Sequence, residues 1–393
     1  MKDDDRHTTE IVNYCHEPAR VAPSLRGKTI DRPKNVSAPF GGSKISFLAR
    51  NSWRISHGWV RALALLAFVV SASAEEMKVP GGLIEIEFVR SPSDAWEGVA
   101  RKWVETSARA VSAYYGKFPV ARSKLRITSS AGTRARGGMA FGWRGPLITI
   151  SLGRDATIAS LADDWLLTHE MVHLALPSLA ERHHWLEEGL ATYVEHIARA
   201  RAGILTPERV WHDVIDGLPQ GQPEAGDRGL DATPTWGRTY WGGALFCLRA
   251  DVAIRQRTGN RFGLEHSLRA ILAAGGSIDR DWTIDRVIDV GDRAVGVSVL
   301  RELYEEMGSQ PVMVDLEALW QQLGIRRHGN TVIFDDSAPL ASVRSAITPE
   351  MGSVQNGKIA RFSPGRFQGP GAGRGSGRQP VRLSGVGRTV QGR

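Results

Sequence analysis

The chain has 393 residues, 42% of them hydrophobic, which is enough for a substantial core and leaves room for two or three domains. Its formal charge of +8 is concentrated at the ends: Met1–Ala74 carries +5 and Met351–Arg393 carries +8, leaving −5 between them. A mildly acidic centre removes the charge argument for nucleic acid as a partner.

Residues 1–59 are polar and show no hydrophobic periodicity, and they read as a non-structural extension. The segment VRALALLAFVVSASA, 60–74, has a basic residue at Arg61, an apolar run from Ala62 to Val70, and small residues at Ala72 and Ala74. That is the layout of a signal peptide cleaved after Ala74, with translation expected to start near Val60. The run is too short for a stable membrane span, so the mature protein is expected to be secreted or periplasmic. Cys15 and Cys247 are the two cysteines, and neither supports a disulfide framework.

GLIEIEFV, Gly82–Val89, alternates Ile84, Ile86 and Phe88 with Glu85 and Glu87 and predicts a half-exposed strand. Ser93–Tyr115 predicts a helix with Ser93 as N-cap and Trp96, Ala100, Trp103, Val104 and Val111 on one face. Lys124–Ser129 and Pro146–Gly153 read as further strands. From Ala156 the pattern is helical: Ile158–Ala175, His184–Ala200, Pro207–Ile215, Tyr240–Thr258, Gly263–Ala274 and Val297–Met307. The expected fold class is α+β, a small mixed β-sheet with helices followed by a mostly α-helical region. An α/β subdomain with an edge strand is expected over 75–160 and a helical subdomain over 161–345. A basic tail is expected over 346–393. From Met351 it holds eleven of the 43 glycines and too little apolar surface to fold.

Chemistry enters at THEMVHL, Thr168–Leu174. Histidines four apart on a helix share one face, so His169 and His173 can approach one metal ion from the same side, with Glu170 beside it and not a ligand. Catalytic zinc needs a third protein ligand and an open position for water, so a further His, Asp or Glu is expected on a neighbouring element. His183, His184, Glu187 and Glu188 follow the break at Pro177 and Ser178. Adjacent helical residues point in different directions, so these four cannot all face the metal.

The segment WLEEGLATYVE, Trp185–Glu195, resembles the WLNEGFA-type segment of the gluzincin zinc metallopeptidases, the alanyl-aminopeptidase-like proteins and the wider peptidase MA-like group. The resemblance implies a thermolysin-like catalytic core, one Zn2+ per chain, and Glu188 as the third ligand, with Trp185, Leu186, Gly189 and Ala191 matching around it. Fourteen residues separate His173 from Glu188, where the aminopeptidases have eighteen, which points to the wider group. The resemblance further implies that Glu195 hydrogen-bonds a zinc-bound imidazole. It also implies that Tyr240, in TYWGGALFCLRADVAIRQRTG, donates to the oxyanion; Gly242 stands where the family has Lys. GGMAF, Gly137–Phe141, resembles the GAMEN segment with Ala140 in place of its amine-binding Glu.

The expected function is an exported zinc metallopeptidase with Glu170 as general base and a peptide or protein as substrate. The strand Pro146–Gly153 is a candidate to pair with an extended substrate as an added strand. The alternative is a catalytically silent gluzincin-like module that binds a peptide or protein. A purely structural zinc site would favour four protein ligands, often cysteines, and no Cys lies near.

Overall fold

The computed structural model describes residues 75–349. The expected extension, the signal peptide and most of the tail lie outside the described residues. In chain order the elements are β1 (Glu75–Val79), β2 (Gly82–Val89), α1 (Asp94–Tyr115), β3 (Arg122–Ser130), β4 (Ala135–Phe141), β5 (Leu147–Gly153), α2 (Leu166–His173), α3 (His184–Arg201), α4 (Pro207–Gly217), α5 (Gly243–Thr258), α6 (Leu264–Ala273), α7 (Ile284–Val295), α8 (Val299–Met307), α9 (Leu316–Leu323), β6 (Ile325–His328), β7 (Thr331–Phe334) and α10 (Ala341–Ile347). The fold is α+β, as the sequence pattern predicts.

β1 to β5 form one mixed sheet in the order β1-β2-β3-β5-β4. β2, β3 and β5 run parallel in the middle, and β1 and β4 close the two edges antiparallel. Alternation decides which face is buried: Leu125 and Ile127 of β3 and Ile148, Ile150 and Leu152 of β5 enter the core, while Lys124 and Arg126 stay exposed. α1 is the crossover between β2 and β3. It starts where Ser93 Oγ accepts from the Trp96 N–H, 3.2 Å, and stops at Gly116, whose φ of 83° is open to glycine at little cost. Its buried face, from Trp96 to Tyr115, joins the same core as the sheet, each large side chain contributing about 1.5–3 kcal/mol. The Trp96 indole N–H also donates to the Gly153 carbonyl, 2.8 Å, tying the helix to the end of β5.

Two expectations are corrected. The expected strand Pro146–Gly153 is β5, paired with β3 on one side and β4 on the other, so it has no edge to offer a peptide; the edge on that side of the sheet belongs to β4. The folded region also passes the boundary expected at 346. α10 continues to Ile347, and the buried Thr348 hydroxyl accepts from the Trp211 indole, 2.8 Å.

α3 is the central helix of the second half, buried over most of its length. Tyr193 on α3 donates to Asp251 on α5, 2.9 Å, and Asp251 also accepts from Arg255, 2.8 Å, and from the Leu264 N–H, 3.0 Å, at the start of α6. That buried carboxylate gives α3, α5 and α6 one common anchor.

Candidate metal centre

The helix predicted from Ile158 is broken before it reaches the histidines. Asp164 Oδ1 accepts from the Leu166 N–H, 3.0 Å, and the Asp163 carbonyl accepts from Arg199 of α3, 2.9 Å, so the chain turns here and α2 begins afresh at Leu166. Aspartate favours such starts because its side chain competes for backbone donors. Burial pushes the Asp164 carboxyl up to about 6, against the pull of the Leu166 N–H and Arg199. Pro177 follows the end of α2, and the chain re-enters α3 through a short 3-10 turn, Glu181–His183.

This arrangement brings His169, His173 and Glu188 together, with one ligand atom from each lying within 4.8 Å of the others. His169 Nε2 is 3.1 Å and His173 Nε2 is 3.5 Å from the same oxygen, Glu188 Oε2. Ligand atoms about 2.0–2.2 Å from a tetrahedral zinc ion lie roughly 3.3–3.6 Å apart, so two imidazoles and a carboxylate at these spacings fit the donor set of a catalytic zinc. Without metal, burial disfavours the His173 imidazolium, but Glu188, with Glu170 and Glu187 behind it, raises His173 to about 9. Burial likewise works against the Glu188 carboxylate, and His173 and His169 overcome it, holding Glu188 far below the usual carboxylate range.

The neighbouring candidates are engaged elsewhere. Glu187 accepts from the Leu179 N–H, 3.0 Å, and contacts His184 Nδ1, 3.0 Å. His183 is buried against Asp231, 3.0 Å, which also accepts from the Trp185 indole, 2.8 Å, and from Tyr304, 2.7 Å, fixing the entry to α3. His184 also reaches the cluster: its Nε2 lies 3.4 Å from Glu188 Oε1, while the two histidines of α2 contact Oε2. Its signal was the four-residue spacing 184–188 on one helix.

Glu170 is buried beside the cluster and lies under β4. A Cβ built on Gly138 would stand 2.5 Å from Glu170 Oε1. Tyr240 meets the cluster at His169, its ring stacked on the imidazole with centroids 6.3 Å apart and planes at 22°. Glu195 does not take the role expected of it. Its carboxylate is held by Arg199 Nε, 2.7 Å, and His196 Nδ1, 2.7 Å, while His169 Nδ1 is buried without a hydrogen-bond partner. Arg199 lies four residues on along the same helix, one turn away, where its guanidinium meets the Glu195 carboxylate directly. Ala140 is half-buried on β4 and packs against the core.

No known family model matches the chain, and no curated protein does. Among solved structures, the chain is similar to an aminopeptidase N family protein from Idiomarina loihiensis, at 15% identity and a TM-score of 0.49 over 64% of this chain and 49% of that one. It is also similar to an M1 zinc metallopeptidase from Deinococcus radiodurans, at 15% identity and a TM-score of 0.40 over 61% and 53%. A mutant M1 zinc metallopeptidase from Deinococcus radiodurans, bound to a Tyr-Ser-Ala substrate, gives 14% and 0.40 over 61% and 52%. The chain spans about half the length of these proteins.

Two imidazoles and a carboxylate within reach of one point, a second carboxylate on the same helix and a phenol ring against one of the imidazoles can hold a divalent metal and handle a proton at the same place. Among the described residues, no helix is long and apolar enough to cross a membrane.

Proposed function

We propose that this chain is an exported, zinc-dependent metallopeptidase that cleaves peptide bonds in a peptide or protein substrate. The observation that carries the reading is the convergence of His169, His173 and Glu188 within 4.8 Å, with Glu170 buried on the same helix as the two histidines.

His169, His173 and Glu188 would hold one Zn2+, which when bound lowers the pKa of a water and polarises a substrate carbonyl. Glu170 takes a proton from the attacking water and delivers it to the leaving amine, a general acid–base contribution of about 10²–10⁴-fold. The Tyr240 hydroxyl donates to the carbonyl oxygen as charge builds there, where one preorganised donor is worth about 10²–10³ in turnover. Glu187 and His184 keep Glu188 at the mouth of α3. Gly138 leaves the Glu170 carboxylate its space beneath the edge strand. Ala140, in place of a carboxylate, offers no anion to a free N-terminal amine, which favours internal bonds over N-terminal trimming.

The test is metal analysis of the purified chain followed by digestion of a peptide library with and without chelator, cleavage sites being read by mass spectrometry. One zinc per chain and chelator-sensitive cleavage at internal bonds are expected. A chain that binds zinc and peptides yet cuts nothing would replace this reading with the silent binding module.

A further inference from the structure

Tyr240 does not sit on an ordinary α-helix. Residues Arg238–Gly242 form a π-helical turn that runs into α5 at Gly243. A π turn is a rare local state that persists only where its surroundings hold it. Here the surroundings are unusually specific. The Arg238 side chain is buried, its Nε 2.8 Å from the buried Asp227 Oδ2, and its NH1 donates to the Gly221 carbonyl, 2.5 Å. The other side of the turn lies directly on backbone. A Cβ on Gly221 would stand 2.3 Å from the Gly242 nitrogen, one on Gly237 would stand 2.2 Å from the Gln220 carbonyl oxygen, and one on Gly217 would stand 2.0 Å from the Trp241 indole.

We propose that Arg238, through its ion pair with Asp227 and its bond to Gly221, is a positioning residue that clamps the π turn and so keeps Tyr240 stacked against His169. The physical basis is angular. Relaxing a π turn into α-helix shifts the register by one residue, which turns the following side chains by about 100° around the axis and would carry Tyr240 off His169. A buried ion pair gives little net stability over an apolar substitute. It does fix one geometry, because the extended guanidinium pairs by charge with Asp227 through Nε while its NH1 hydrogen-bonds Gly221, two points that a single ammonium does not span in the same way. The chemical consequence, loss of the oxyanion donor, rests on the metallopeptidase reading; the clamp itself does not.

Two variants of unrelated chemistry test it, each in the full chain: Arg238→Lys, which keeps the charge and loses the guanidinium, and Gly221→Ala, which pushes a methyl group into the turn. Hydrogen exchange of the metal-free protein should show amides of 238–243 exchanging at least about tenfold faster, with those of α1 and the middle of α3 unchanged. Turnover should fall by about 10²–10³, to the level of Tyr240→Phe, with KM within about threefold. Either variant combined with Tyr240→Phe should lose nothing more than Tyr240→Phe alone, because both changes remove the same donor. Unchanged exchange at 238–243, or losses that add to those of Tyr240→Phe, would overturn the clamp. If one variant fails to fold, the other still decides. If the unmodified chain shows no chelator-sensitive hydrolysis, the metallopeptidase reading falls and the exchange measurement alone judges Arg238.

Discussion

Gly138 and Glu170 occupy neighbouring space that no side chain at position 138 could share: an added Cβ would lie 2.5 Å from Glu170 Oε1 and 2.6 Å from its Cγ. The strand bulges just before this point, between Arg136 and Gly138, with Gly137 at a φ of 52°. Gly138→Ala should therefore drive Glu170 into another rotamer without touching the three metal ligands. Hydrolysis should drop by at least about tenfold, within the range that loss of a general base allows, while zinc content stays at one per chain. Full activity in Gly138→Ala would show that the carboxylate has room to spare.

Glu170→Gln should keep shape and zinc and lower turnover by about 10²–10⁴-fold. Tyr240→Phe should cost less, about 10²–10³-fold in kcat with a modest change in KM. Steady-state kinetics on a single internally cleaved peptide, with metal content measured on the same samples, separates the two. Glu170→Gln with unchanged turnover would remove it from the base role.

His169→Ala, His173→Ala and Glu188→Gln should each lose zinc, whereas Glu187→Gln should retain it, because Glu187 is committed to Leu179 and His184. In the unsubstituted protein, zinc at a hundred times its Kd should stabilise by about 2.7 kcal/mol, read as a rise in Tm over the chelated state. The pH dependence has opposite signs in the two states. His173 of the metal-free protein is raised from 6.5 to about 9, so its contribution to stability is complete below about 6.5 and is lost as pH rises to about 9. Zinc requires the neutral imidazole, so its affinity should rise across that same interval. Chelated protein that gains stability from pH 6.5 to 9 would contradict the Glu188–His173 pairing.

Glu195 should behave as a structural group and not as the partner of a zinc-bound imidazole. Burial opposes its charge, but Arg199 and His196 hold its carboxyl down at about 2. Its contribution is present above about 4.5 and is lost as pH falls toward about 2. Glu195→Gln strands the buried Arg199 and should destabilise by about 3–5 kcal/mol in denaturant titration, with zinc affinity unchanged. A 10–100-fold loss of zinc affinity with stability intact would restore the imidazole role.

The parts of the molecule legible in the sequence are those where one strong local signal met no rival. β2 matches its alternation, and α1 and α3 match their periodicity to within a residue. His169 and His173 were legible because four-residue spacing on a helix fixes their common face, and Glu188 because its flanking residues match a known segment. β4 was missed as a strand, since ARGGMAF contains two glycines and a bulge and no β-branched residue. α7 was missed because Gly291 interrupts its pattern, although a side chain there would collide with Leu300. The order of strands across the sheet, which leaves β4 and not β5 at the edge, depends on pairings between segments that no local pattern records. Gly138 against Glu170 and Arg238 against Asp227 are contacts of the same kind.

α3 and α5 meet at Gly189 and Gly243 with backbone against backbone, so that a Cβ on Gly189 would fall 2.2 Å from the Gly243 Cα. Between most packed helices lies a layer of side chains that can change rotamer and absorb small displacements. Here there is none. The helix bearing Glu188 and the helix that continues the Tyr240 turn are therefore coupled directly, backbone to backbone, at this point, just as β4 rests on Glu170 through a glycine of its own.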